Sequence, residues 1–165
     1  MQILNHKQIL QKVKRLSFQI AERNLNEKAI AILGINNNGL RFAKMVQEEL
    51  ASILPDTELI LSNISLNPAN PLSEPITVEV DIDQLKDRSI IIVDDVANTG
   101  RTLYFALHPL MNMVPKCIEV AVLVNREHKS FPIKVDYQGL SLATTLKENI
   151  EVDLTDQTNY KAFLN

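Results

Sequence analysis

Apolar residues recur at Ile9, Val13, Leu16 and Ile20, a spacing that lays one stripe along a helix. Asn5 followed by Gln8 forms a capping-box pattern, so the spacing predicts a helix that starts near His6 and ends around Asn24 to Asn26. AIAILGI (29–35) is a continuous apolar run, too short for a helix and flanked by polar residues, which predicts a strand buried on both faces. Leu40, Ala43, Val46 and Leu50 resume helical spacing to about Leu54, where Pro55 stops it. ELILSNISL (58–66) predicts a second strand, and ITVEV (76–80) an edge strand. Between them Pro68, Pro71 and Pro75 forbid a helix and favour an extended loop over 67–75.

SIIIVDD (89–95) is the most apolar run and predicts a central strand. TGRTLYFALHPLMNM predicts a helix kinked or shortened at Pro109, and CIEVAVLVN (117–125) another buried strand whose first residue, Cys117, packs in the core. Further strands are expected over Pro132–Tyr137 and Asn149–Leu154, the last followed by a polar tail. Strands alternating with helices over short connections imply βαβ units: an α/β chain with a mainly parallel sheet flanked by helices. At 165 residues one domain is expected, with an N-terminal helix in 1–25, a loop at 67–75 and a small hood in 126–154. Ligands of such sheets bind at the carboxyl ends of the strands. Two segments there carry unusual chemistry, Asn36–Gly39 and Asp94–Thr102.

Composition narrows the function classes. Lys plus Arg number 17 against 20 Asp plus Glu, a net charge of −3, which argues against a protein that chiefly coats nucleic acid. No apolar run approaches the ~18 residues of a membrane span. The N-terminus lacks a signal-peptide pattern. One cysteine excludes an internal disulfide and a multi-cysteine metal site. A cytoplasmic protein is expected. His6, His108 and His128 have no metal-ligand spacing and are read as non-catalytic, and Tyr104 and Phe105 as core or interface residues.

In IIIVDDVANTGRT two carboxylates end a buried strand and a Thr-Gly turn leads into a helix. Gly100 permits a tight turn and close approach of a ligand. The amides of Val96, Ala97, Asn98, Thr99, Gly100, Arg101 and Thr102 then suit a phosphate, with hydroxyls from Thr99 and Thr102 and charge from Arg101. Asp94 and Asp95 repel phosphate but accept from sugar hydroxyls or partner Mg²⁺ indirectly. A phosphate cradle beside hydroxyl acceptors implies a phosphorylated ribose. The string is neither a Walker A loop nor a dinucleotide fingerprint.

VDDVANTGRT resembles the phosphoribosyl-pyrophosphate motif of type I phosphoribosyltransferases. VLVNREHKSFPIKVDYQG with NIEVDL, and the leading helix with AIAILGINNNG, are most similar to the bifunctional pyrimidine operon attenuator/uracil phosphoribosyltransferases, over roughly residues 5–154. The resemblance implies Mg²⁺-dependent transfer of ribose 5-phosphate to a base, and a homodimer. It implies that Asp94 and Asp95 hold the ribose hydroxyls, with the metal held through the substrate, and that 97–102 wrap the 5-phosphate. It implies a pyrophosphate loop at Asn36, Asn37, Asn38 and Gly39, and base contacts from Asn125, Arg126, Tyr137 and Ile150. Three departures qualify it. The pyrophosphate loop is neutral where relatives carry Lys or Arg. LNPANPLSEP has no basic or aromatic residue where attenuator-type relatives carry a Tyr-Arg-Asp-Asp-like stretch. Asn98 cannot titrate where purine-type members have Asp, which favours a pyrimidine.

A sensing regulator that binds RNA is the alternative. Residues 1–24 hold five basic residues against Glu22, and Arg126, Lys129 and Lys134 lie near Phe131 and Tyr137, a mixture suited to RNA loops. RNA remains the less favoured partner because the chain is acidic overall, and no membrane partner is expected. Flavodoxin-like and receiver domains share such a sheet but leave the Thr-Gly-Arg-Thr turn unexplained.

Overall fold

A computed structural model of the chain describes residues 1–143, 145 and 147–165; positions 144 and 146 of the expected hood lie outside them. The central sheet contains β2 (Ala29–Ile35), β3 (Glu58–Ser65), β4 (Thr77–Val78), β5 (Ser89–Ala97), β6 (Cys117–Arg126) and β7 (Tyr137–Leu142). Its order is β4-β3-β2-β5-β6-β7, parallel except for the short edge strand β4. Helices α1 (His6–Arg23) and α2 (Asn36–Ile53) cover one face. The other carries α3 (Arg101–Ala106) and a 3₁₀ turn over His108–Asn112. The expected α/β fold with a mainly parallel sheet is the observed one.

Local chemistry explains the elements. Asn5 Oδ1 accepts from the Gln8 amide (3.0 Å) while Gln8 Oε1 accepts from the Asn5 amide (2.9 Å), which starts α1. Ile9, Val13, Leu16 and Ile20 are fully buried or nearly so, each worth about 1.5–3 kcal/mol by removal from water. Along β5, Ile90 and Ile92 enter the core beneath α3, while Ile91 and Val93 enter the core beneath α1 and α2. Burial on both faces is why the run is continuously apolar.

The third helix is short, as Pro109 led us to expect: six residues, followed by a 3₁₀ turn that contains the proline. Other expectations are corrected. Asn36–Gly39 forms the first turn of α2 rather than a free loop, entered through Asn36 at φ 51°. Residues 132–136 are not a strand. The Ser130 and Phe131 amides donate to the Thr99 carbonyl (3.0 and 3.2 Å), so this chain packs on the 99–102 turn before β7 begins. Cys117 is exposed at the start of β6. Tyr104 is 38% exposed.

The polar tail conceals a strand. β9 (Lys161–Leu164) lies between β1 (Gln2–Leu4) and β8 (Ile150–Asp153) in a second, antiparallel sheet that brings both termini together. Residues 126–154 are therefore divided between the two sheets.

Gly34 and Gly39 set how closely α2 approaches the sheet. A Cβ on Gly34 would stand 2.5 Å from Leu40 Cα and 2.6 Å from the Gly39 oxygen; one on Gly39 would stand 2.8 Å from the Val93 oxygen. These are backbone atoms that cannot yield cheaply. Gly34→Ala is therefore expected to lower unfolding stability by about 2–3 kcal/mol, read as a shifted urea midpoint; an unchanged midpoint would refute the close-contact account.

Candidate functional site

The carboxyl ends of β2 and β5 meet the first turn of α2. At this end of the sheet Asp94 is buried, with 8% exposure, and Asp95 is half-buried. The Asp95 amide donates to Asp94 Oδ1 (2.9 Å). Asn38 Nδ2 donates to Asp95 Oδ2 (3.0 Å) and to the Val152 carbonyl (3.2 Å), while its Oδ1 accepts from Arg41 (3.1 Å). Asn36 Oδ1 accepts from the Leu66 amide (3.0 Å), and Asn63 Nδ2 donates to the carbonyls of Gly34 (2.8 Å) and Asn36 (2.9 Å). The side chains of Asn36 and Asn38 thus serve the protein. The donors left for a ligand include the backbone amides of an 18-residue helix with no side-chain cap and no acidic residue in its first turn.

Two cavities open here. One of about 500 Å³ is lined by every residue from Val96 to Thr102, with Pro68, Ser130 and Phe131. A second of about 410 Å³ is lined by Asn36, Asn38, Asp94, Asp95, Ile150 and Val152, among others. Pro68, Val96, Asn98 and Thr102 border both. Gly100 sits at φ 84°, the left-handed region that glycine adopts freely, and turns the backbone around the first cavity. The turn is fixed from outside by the hydrogen bonds of Ser130 and Phe131 to Thr99.

The structure brings together the expected ribose residues, the 96–102 turn, Asn36 and Asn38, but not Asn37 or Gly39 and only one of the expected base residues. Ile150 lines the second cavity. Tyr137 does not: it is 1% exposed, near the amino end of β7, and its hydroxyl donates to the Glu119 carboxylate (3.0 Å) beneath Arg23. Burial followed by the Glu119 contact pushes its pKa up. Asn125 is held between Gln138 and Lys129 (2.7 Å each). Arg126 is buried and donates to the Glu148 carbonyl. Neither borders the cavities. Asn37 is exposed, and Gly39 is buried where α2 meets β5. Sequence reasoning missed Phe131, Ser130 and Val152 as lining residues. Phe131 lay in a segment that suggested a basic-aromatic patch, and Val152 in a strand whose pairing could not be read.

A phosphoribosyl transferase domain model matches residues 1–157, and the chain belongs to that family. It is 34% identical over 160 residues to the bifunctional protein PyrR of Caldicellulosiruptor bescii, covering 92% of this chain and 86% of that one. To the bifunctional protein PyrR of Bacillus cereus it is 35% identical over 168 residues, covering 94% and 92%. Among solved structures, a hypoxanthine-guanine phosphoribosyltransferase of Bacillus anthracis shares the fold at a TM-score of 0.74 and 21% identity, covering 91% and 86%. The hypoxanthine phosphoribosyltransferase of Trypanosoma cruzi in complex with IMP does so at 0.71 and 16%, covering 86% and 80%.

Burial, and then the charge of Asp95, hold the Asp94 carboxyl well above its usual range. A carboxyl whose pKa is raised on folding stabilises the protein fully below its unfolded pKa and loses that contribution as pH rises through the folded one. Asp94→Asn is therefore expected to stabilise the ligand-free protein by about 1–2 kcal/mol at pH 8. In thermal melts the gain should shrink as pH falls toward ~4. A pH-independent difference would show that folding leaves the pKa of this carboxyl where it is in the unfolded chain.

Proposed function

We propose that the protein transfers ribose 5-phosphate from phosphoribosyl pyrophosphate to a pyrimidine base, uracil first among them, and releases pyrophosphate. The observation that carries this reading is the arrangement around the joined cavities: the Thr99–Thr102 turn, the Asp94–Asp95 pair and the amino end of α2. In this reading the turn amides and threonine hydroxyls hold the 5-phosphate, the carboxylates accept from the ribose hydroxyls, and the α2 amides face the pyrophosphate. Ile150 and Val96 offer an apolar wall to the base. Departure of pyrophosphate leaves positive charge on the ribose, so catalysis is positioning and charge stabilisation, with no covalent step for the protein to perform. Asn98 borders both cavities, and its buried Oδ1 has no protein partner; a ligand N–H or O–H would satisfy it. Its amide supplies no proton at neutral pH, which suits a base that needs none.

The donor set fits Mg²⁺ in one way. Two adjacent carboxylates, one of them buried, with no group of three or more His, Cys, Asp or Glu side chains among the described residues, leave most ligands to phosphate oxygens and water. Bound there, Mg²⁺ supplies positive charge to the leaving pyrophosphate. A cytoplasmic homodimer of one-domain subunits completes the proposal.

The second reading, a weakly catalytic sensor that binds RNA, draws on the neutral first turn of α2 and on the bifunctional designation of the PyrR relatives. The basic residues favour it less. Lys12 and Arg15 donate to the Gly139 carbonyl (3.0 and 2.7 Å), and Lys129 to Asn125 and the Arg126 carbonyl.

The deciding assay is pyrophosphate release from Mg²⁺·phosphoribosyl pyrophosphate with uracil and then other bases. Release that depends on a pyrimidine is expected. No release from folded protein with any base, together with RNA binding that weakens steeply with salt, would transfer support to the sensor. Asp94→Asn with Asp95→Asn should weaken phosphoribosyl pyrophosphate binding at least tenfold, about 1.4 kcal/mol, while circular dichroism stays unchanged. Wild-type affinity in that variant would remove the carboxylates from the site.

A further inference from the structure

Arg41, the side chain that donates to Asn38, also lines a cavity apart from the cleft. It measures about 300 Å³, at the small end of ligand pockets, and lies between α2 and the turn that joins β8 to β9. Arg41, Lys44 and Glu48 border it from the helix, and Leu154, Gln157 and Tyr160 from the turn. It shares no lining residue with either cavity of the cleft.

The charges around it are unbalanced at one end. Arg41 and Lys44 stand three residues apart, so they are neighbours on one helix face. Among the described residues neither forms an ion pair. Arg41 has only the neutral Asn38 oxygen (3.1 Å), and Lys44 makes no hydrogen bond to the described residues. The acids nearby are engaged elsewhere. The Asp153 carboxylate accepts from the amide and hydroxyl of Thr155 (2.9 and 2.6 Å), and that of Asp156 from those of Thr158 (2.9 and 2.7 Å). Lys161 stands opposite Asp153 across the β8–β9 pair and acts on it more strongly than Arg41 does. Glu48 follows Lys44 by four residues, the less favourable order for a helical pair.

Tyr160 gives the second sign. It is 9% exposed and its ring packs on His6, with 4.9 Å between centroids, yet its hydroxyl has no hydrogen-bond partner among the described residues. Burial, then Glu48 and Asp156, push its pKa up, which places the hydroxyl on the Glu48 side of the cavity. Tyrosine hydroxyls buried to this extent are generally paired. Here the open valence faces a cavity that already holds two unpaired cations.

We propose that this cavity is a second small-molecule site, for a phosphomonoester that carries hydroxyl groups. The phosphate sits between Arg41 and Lys44, whose planar fork and point charge both suit its oxygens. The Tyr160 hydroxyl donates to the ligand, and Glu48 accepts from a ligand hydroxyl. Met45 and Leu154 supply an apolar wall. A bare anion would face Glu48 without a donor to offer it, and a bare cation would meet Arg41 and Lys44. The mixed lining therefore selects a ligand with an anionic end and a hydroxyl end. The site stands apart from the phosphoribosyl-transfer reading.

The test is a titration of the isotope-labelled full chain, followed by backbone amide chemical shifts, with glycerol 3-phosphate as the probe. Saturable shifts are expected over 41–48 and 154–160. Glycerol should produce none, and glycerate, with a carboxylate in place of the phosphate, should bind severalfold more weakly. Lys44→Met should weaken the probe roughly tenfold or more, as loss of a charged hydrogen bond does. Tyr160→Phe keeps the ring on His6 and should weaken it severalfold. Arg41 is left in place because it braces Asn38 in the cleft. Lys44→Gln replaces the methionine variant if that one alters the spectrum throughout. Absence of saturable shifts at 41–48, with or without shifts in 96–102, would overturn the second site. Saturation there that neither Lys44 nor Tyr160 variants change would do the same, and equal binding of glycerate would overturn the phosphate. If the wild type releases no pyrophosphate while these shifts behave as expected, the functional reading fails and the second site stands.

Discussion

The site depends on one close approach, that of the first turn of α2 to the ends of β2 and β5. Gly34 and Gly39 allow backbone to lie on backbone, where any Cβ would collide with Leu40, the Gly39 oxygen or the Val93 oxygen. That contact sets the amino end of a long helix beside two carboxylates that the sheet delivers from the neighbouring strand. Asparagines then knit the junction. Asn36 reaches the root of the 67–75 loop, Asn63 the carbonyls on either side of Ile35, and Asn38 both Asp95 and the small sheet. The left-handed backbone at Asn36 is tolerable because asparagine adopts it more readily than most residues. Neutrality is a structural solution at Asn36, whose Oδ1 accepts from the Leu66 amide, a role that a cationic side chain with no acceptor could not fill.

The same arrangement sets the electrostatics. Asp94 lies buried beside Asp95, an expensive placement for two acids, and the local groups that relieve it are uncharged amides. A site built this way is poorly matched to an anion alone. On the proposed function, the ligand that answers this is an anion that arrives with its own cation and presents hydroxyls to the acids. The 96–102 turn differs: it has Arg101 and two threonines, and no acid among its residues. Negative and positive demands are thus separated along one continuous cleft, with Asn98 and Thr102 at the border.

Elements buried on both faces were legible because their apolar runs admit one reading, and α1 because its cap and stripe agree. The acidic pair and the Thr-Gly turn were legible because their spacing is local. What escaped was non-local. β1 and β9 are three and four residues long, and only their pairing across almost the whole chain makes them a sheet. Tyr137 was assigned to the base by its place in a resembling segment, but it stands near the amino end of β7, away from the carboxyl ends where ligands sit. Strand alternation alone could not reveal this, because 132–136 were read as part of the strand, whereas the Ile133 amide turns back to the Phe131 carbonyl and the Asp136 amide donates to the Val120 carbonyl just before β7 begins. Arg126 was expected at the base from the resemblance and at RNA from its charge, yet it is buried against the Glu148 carbonyl.

The cations show why charge counted along a sequence misleads. β7 is the edge of the central sheet, and an unpaired edge invites association with other strands. Lys12 and Arg15 cover it by donating to the Gly139 carbonyl, and burial lowers the Lys12 pKa accordingly. Arg23 pairs with Glu119 and lies over the Tyr137 ring (5.1 Å), sealing the other end of the same strand. Three of the five basic residues of the N-terminal segment thus finish the sheet, leaving Lys7 and Lys14 without a hydrogen bond to the described residues. A surface whose cations already hold protein carbonyls and carboxylates has less to offer a phosphate backbone, whose binding grows with the number of free charges it neutralises. Arg101 is the contrasting case: its protein partners are two neutral carbonyls on a loop, so its charge stays available where the cleft is otherwise acidic or neutral.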